Sequence, residues 1–258
     1  MSFCSKCGSQ LKDGESVCTS CGANINTSNL KTSIKAQDFI EGLVRIKEAF
    51  LAILKNPFNG MVKGHETLNL ISTYLFTILL SLSFGLVGIW AKSALLSSLT
   101  KGSKNIKALD IKSAVKFTNL NAFIISFFTS ILSIAVVLAT IYVIFNIIMK
   151  KNINYIVMLK AAILPFAYYL AVTIISNITI YLSLKLYVLI TIIGALLFLI
   201  CLYNNVTYIL GSTADLSPAV FTVSISVSFI VLINYYFTMK SASVMISNLF
   251  NGFTSNLF

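Results

Sequence analysis

From Asn121 to Met239 the chain carries only five charged residues: Lys150, Lys151, Lys160, Lys185 and Asp215. A soluble fold needs a water-facing shell, and a stretch this long with so little charge has nothing to build one from. The solvent for this half is therefore expected to be lipid, where each backbone polar group must find its partner inside the protein. Apolar runs longer than the roughly 20 residues that a helix needs to cross a bilayer complete the picture. At 57% hydrophobic residues and a mean hydropathy of +0.89, the 258-residue chain as a whole lies outside the soluble range.

The sequence predicts an all-α integral membrane protein with about five transmembrane helices, occupying residues 67–258. The spans are expected at Leu68–Ala91, Asn121–Met149, Ile156–Leu182, Leu186–Leu210 and Ala219–Met239. The first holds thirteen Leu, Ile, Phe or Val residues, and at about 0.3–0.6 kcal/mol each near a span centre they outweigh Asn69 and the scattered Ser and Gly. Basic residues near the ends of spans favour the cytoplasmic side. Five full spans with the N-terminus inside place 11 Lys and Arg inside and 8 outside. A re-entrant hairpin over Leu68–Leu99, bending near Ser83-Phe84-Gly85, would change the count to 16 against 3. The count therefore favours the hairpin and a cytoplasmic Lys101–Lys116 segment, although thirty-two residues are short for two crossings.

The N-terminal residues are of another kind. They lack the basic region and long apolar run of a signal peptide, and read Phe3-Cys4-Ser5-Lys6-Cys7-Gly8, then Cys18-Thr19-Ser20-Cys21-Gly22. Two Cys-x2-Cys pairs present four thiolates at the spacing of a tetrahedral metal site. The Gly after each pair suits a knuckle that takes a positive φ. Lys12-Asp13-Gly14-Glu15 supplies a hairpin turn, with Leu11 and Val17 in flanking strand positions. Disulfides, an iron–sulfur cluster or a redox dithiol fit the context and spacing less well. The expected metal is one structural Zn2+ held by Cys4, Cys7, Cys18 and Cys21. Residues 1–23 form this zinc ribbon, and the Asn/Thr/Ser-rich residues 24–33 a flexible linker.

The two cysteine pairs resemble the zinc-ribbon module found at the start of many membrane proteins of Gram-positive bacteria. That resemblance implies four Cys ligands, a cytoplasmic N-terminus and a multi-pass protein of the bacterial plasma membrane. The overall arrangement is similar to the Yip1-type membrane domain, with Lys101-Gly102-Ser103 between an early span or hairpin and the later ones.

Residues 34–66 are expected to form an amphipathic juxtamembrane helix and turn. Phe39, Leu43, Ile46, Phe50, Ile53 and Leu54 recur at helical spacing, and Asp38, Glu41, Arg45, Glu48 and Lys55 occupy the other side. Such a helix either packs on the membrane domain or on another subunit, or lies among anionic lipid headgroups. Asn56-Pro57-Phe58 reads as a helix stop. His65-Glu66 lacks the second histidine of a metalloprotease motif, residue 69 being Asn, and reads as a lone surface histidine.

Polar groups inside the spans are few: Lys160, Asn177, Asn204 and Asn205, with Pro165 nearby. Lys160 and Lys185 are placed to snorkel, Asp215 to sit in a turn, Cys201 to pack, and the tail Lys240–Phe258 to lie at the interface. Lysines without interleaved aromatics argue against nucleic acid as a partner. No catalytic constellation emerges. The sequence therefore favours a non-enzymatic binding, scaffold or regulatory protein whose ribbon docks a cytosolic partner at the membrane. The alternative is a transporter or channel subunit, which would line a polar pathway with Lys160, Asn177, Asn204 and Asn205.

Overall fold

The computed structural model describes residues 2–3, 10–11, 18, 36–102, 118–211 and 217–254. The chain divides into two compact units, Met1–Glu41 and Gly42–Phe258. In the first, strands β1 (Ser2–Phe3) and β2 (Gln10–Leu11) pair antiparallel, Ser2 opposite Leu11 and Phe3 opposite Gln10. Leu11 is thus paired back to the start of the chain. The expected turn at Lys12–Glu15, and Val17 beyond it, lie outside the described residues.

Helix α1 (Ala36–Lys55) has three faces rather than two. Gly42, Ile46, Ala49 and Ile53 are buried at a helical spacing of four, three and four. Asp38, Glu41, Arg45 and Glu48 form the polar face. Between them an apolar arc with Leu43, Val44, Leu51 and Leu54 stays exposed. One face of this helix therefore packs within the protein, with Gly42 against Leu75 and Ile71.

The turn at Asn56 starts a second helix, α2 (Pro57–Thr67), that the periodicity does not announce. Asn56 caps it by accepting from the amide of Asn59 at 3.2 Å, and Pro57 occupies the first turn, where its missing N–H costs nothing. The return is tight. A Cβ at Gly60 would collide with the Ala52 backbone and come within 2.5 Å of the Ile53 Cα, so only glycine lets α2 fold back on α1.

Helix α3 runs unbroken from Leu70 to Gly102, 33 residues. Asn69 starts it through a reciprocal cap: Ser72 N donates to Asn69 Oδ1 at 2.8 Å, and Asn69 N donates to Ser72 Oγ at 2.7 Å. The expected turn-back at Ser83–Gly85 is not formed. Ser83 Oγ donates to Leu79 O within the helix at 2.8 Å, and the glycines serve packing instead. A Cβ at Gly85 would stand 2.6 Å from the Phe123 ring, and one at Gly88 would collide with Ser126. Residues 103–117, most of the expected Lys-rich connector, lie outside the described residues.

Helix α4 (Asn119–Ile141) is capped by Thr118 and continues as a π-helical turn over Tyr142–Ile148. Asn146 then closes the chain reversal, accepting from Ile153 N at 2.7 Å and donating to Ile153 O at 3.0 Å. Within that reversal Lys150 and Asn152 take left-handed φ angles of 55° and 50°. Helices α5 (Tyr155–Thr179), α6 (Leu184–Leu210) and α7 (Ser217–Thr254) follow. Gly211, at φ 82°, ends α6 in an extended, positive-φ conformation that glycine allows.

Five of these helices are long and apolar enough to cross a membrane: Leu70–Leu95, Asn119–Ile148, Tyr155–Thr179, Leu184–Leu210 and Ser217–Phe237. Helix α5 is the hub, packing against α2, α3, α4 and α6. Val137, Ile141, Ile163, Leu164, Leu202 and Val206 are wholly buried around it. Cys201 is buried among them, as expected of a packing residue. Outward-facing side chains such as Ile192, Leu196, Phe221 and Leu232 are more than half exposed, an apolar exterior of the kind that lipid covers.

Candidate functional site

Two places in the molecule gather chemistry. The first is the N-terminal unit, where the chain joining β1 to β2 carries Cys4 and Cys7. Cys18 is 1% exposed, withdrawn from water as a thiolate in a closed metal site must be. Cys4, Cys7 and Cys21 lie outside the described residues. Residues 3–25 match the zinc-ribbon domain family. Comparison of the chain with curated proteins and with solved structures returned no match. The ribbon's donor set fits zinc: two Cys-x2-Cys pairs, one buried member and a short strand pair closing the loop that holds the first two thiols. Zinc ribbons in general bind zinc in this way, with every coordination position filled by protein.

The second place is one end of the helical unit, where α2 lies against α5 and α6. Its origin is Pro165. A proline inside a helix has no N–H to give the carbonyl four residues back, which here is Ala161. Asn205 of α6 supplies the donor instead, its Nδ2 lying 2.9 Å from Ala161 O. This bond fixes which way the amide points, so Oδ1 of Asn205 faces His65 Nε2 at 2.9 Å and accepts. His65 is therefore the tautomer protonated on Nε2. Its ring also packs against Tyr208, with centroids 4.9 Å apart.

Two cations complete the attachment. Lys160 Nζ donates to His65 O at 2.8 Å, and Arg45 Nη1 donates to Thr67 O at 3.0 Å. Both carbonyls belong to the last turn of α2, where the helix leaves acceptors without amide partners and its dipole favours positive charge. Burial pushes the His65 pKa from 6.5 down to about 4, Lys160 adds to the depression, and the bond to Asn205 opposes it. His65 is thus a neutral, half-buried donor and not the lone surface histidine that the sequence predicts.

The expected polar residues are therefore separated. Lys160 and Asn205 serve α2, and Lys160 reaches a helix end within the protein rather than simply snorkelling. Asn204 contributes its carbonyl to Thr207 Oγ1 at 2.9 Å. Asn177 lies seventeen residues from Lys160 along α5, about 25 Å at 1.5 Å per residue. Asp215 lies outside the described residues. Among the described residues, no three His, Cys, Asp or Glu side chains converge as metal ligands would. Sequence reasoning missed α2 and its anchor, yet Pro165 was the available signal: an orphaned carbonyl in an apolar span requires a donor from a neighbour.

Proposed function

We propose that this chain is a multi-pass plasma-membrane protein whose cytoplasmic zinc ribbon docks a cytosolic protein and whose five helices hold that partner at the membrane. The reading is of a non-enzymatic scaffold. It rests mainly on a ribbon match at residues 3–25 joined to a body whose convergent polar side chains fasten its own helices together. One zinc ion held by Cys4, Cys7, Cys18 and Cys21 folds the ribbon and presents its surface. The apolar arc of α1 sits among lipid chains, while Lys63, Lys150 and Lys151, beside the ends of helices, meet anionic headgroups at about 1 kcal/mol each. With α3 unbroken, the cytoplasmic side carries 11 of the 19 basic residues, and the likeness to bacterial ribbon-bearing membrane proteins supports the same orientation.

Photo-crosslinking in living cells tests the docking role. A photoreactive side chain placed at Lys12 or Glu15 should capture a cytosolic protein, and the adduct should vanish when Cys4→Ser removes a zinc ligand. No adduct from either position, or an adduct indifferent to Cys4→Ser, contradicts the reading.

A further inference from the structure

A small cavity of about 80 Å³ lies between α5 and α6 at the end of the helical unit opposite His65. Asn177, Ser176, Thr173, Tyr187 and Thr191 line it, none of them charged. Asn177 is 2% exposed, and its side-chain nitrogen has no hydrogen-bond partner among the described residues. The hydroxyls of Thr173, Ser176 and Thr191 around it already have partners. Thr191 Oγ1 donates to Tyr187 O at 2.8 Å, and Thr173 Oγ1 to Tyr169 O at 2.7 Å. Ser176 Oγ stands 2.6 Å from Thr191 Oγ1 and also reaches Tyr187 O at 3.3 Å. The side-chain N–H groups of Asn177 are left without an acceptor among the described residues. A buried amide left without an acceptor costs about 1–3 kcal/mol, so the site favours any group that supplies one.

We propose that this cavity binds a small neutral oxygen acceptor, either water or an ester oxygen of a lipid. Neutrality follows from the lining, since an ion would be desolvated with no charge to pair it. Size agrees, because 80 Å³ is several times the roughly 10–15 Å³ that one water occupies by this measure. Depth agrees too. Asn177 lies two residues before the end of α5 and Tyr187 three residues after the start of α6, where water and the glycerol region of a bilayer both reach. The proposal rests on the membrane reading only for the lipid source.

Solid-state NMR of the full-length protein in phospholipid liposomes distinguishes the cases. Magnetisation started on water protons, and separately on lipid glycerol protons, is followed to the side-chain amide of Asn177. The backbone amides of Ile163 and Leu164, both wholly buried, serve as the dry reference. Transfer to Asn177 severalfold faster than to the reference is expected, and the faster of the two sources identifies the ligand. Transfer as slow as to Ile163 from both sources overturns the proposal. Transfer from lipid acyl chains to the exposed Ile192 and Leu196 reports membrane embedding independently, so failure of that reading is seen apart from failure of the cavity.

Discussion

Chelating the metal from the full-length protein is expected to unfold the ribbon and leave the helical unit intact. Before chelation, metal analysis gives one zinc per chain, and Cys4, Cys7, Cys18 and Cys21 resist alkylation. Afterwards all four react, while Cys201, 2% exposed in the core of the helical unit, stays protected. The expected size of the effect follows from how little else holds the ribbon. Its strands are two residues each, and a module of this length buries too little apolar surface to fold unaided. Zinc contributes on the order of 10–16 kcal/mol of apparent binding energy in comparable peptides. Because Met1–Glu41 and Gly42–Phe258 are separate compact units, the thermal transition of the helices should not move. Thiols that react before chelation, or a helical transition that follows the metal, contradict this account of the ribbon.

The second large effect concerns His65 and acid. The side chain is neutral when folded, with a pKa near 4 against 6.5 when exposed. As pH falls below 6.5 the unfolded chain takes up a proton that the folded chain refuses, so stability is fully present above 6.5 and declines toward 4. The decline amounts to about 3 kcal/mol, at roughly 1.4 kcal/mol per pH interval. His65 is the one histidine of the sequence, so a comparison with His65→Gln isolates it from the eight carboxylates. The glutamine keeps an N–H donor for Asn205 and carries no titrating proton. In detergent micelles, the natural protein should lose stability relative to His65→Gln across pH 6.5 to 4. Parallel profiles would mean that His65 is not held neutral by the packing of α2.

How much of this was legible in the sequence depends on how local each signal is. The five helices were legible because apolar length is a property of one segment at a time, and the observed boundaries fall within a few residues of the expected ones. The ribbon was legible because metal-ligand spacing is also local. The turn near Gly85 was misread for the opposite reason. Glycine marks either a bend or a close approach, and only the Phe123 ring on another helix decides between them. The charge count pulled toward the hairpin because Lys101–Lys116 is basic, but hydrogen bonding within α3 runs through Ser83 without interruption. Helix α2 was hidden in a polar stretch with two glycines, and its anchor joins residues 140 apart in sequence. Asn69 looked like a polar residue tolerated inside a span; it is the cap that starts the span.

The central claim is that the ribbon lies on the cytoplasmic side of five full crossings. Adjacent reversals must then face opposite sides of the membrane: Lys151 with the ribbon, and Leu182, 76% exposed between α5 and α6, across from it. A membrane-impermeant thiol reagent applied to intact cells, with Lys151→Cys and Leu182→Cys made singly in a Cys201→Ala background and labelled sites read by peptide mapping, measures this directly. The expected result is labelling of Leu182→Cys, with Lys151→Cys silent until the cells are permeabilised and the four zinc-held ribbon cysteines silent throughout. Labelling of Lys151→Cys in intact cells would contradict it, whether or not Leu182→Cys is labelled as well.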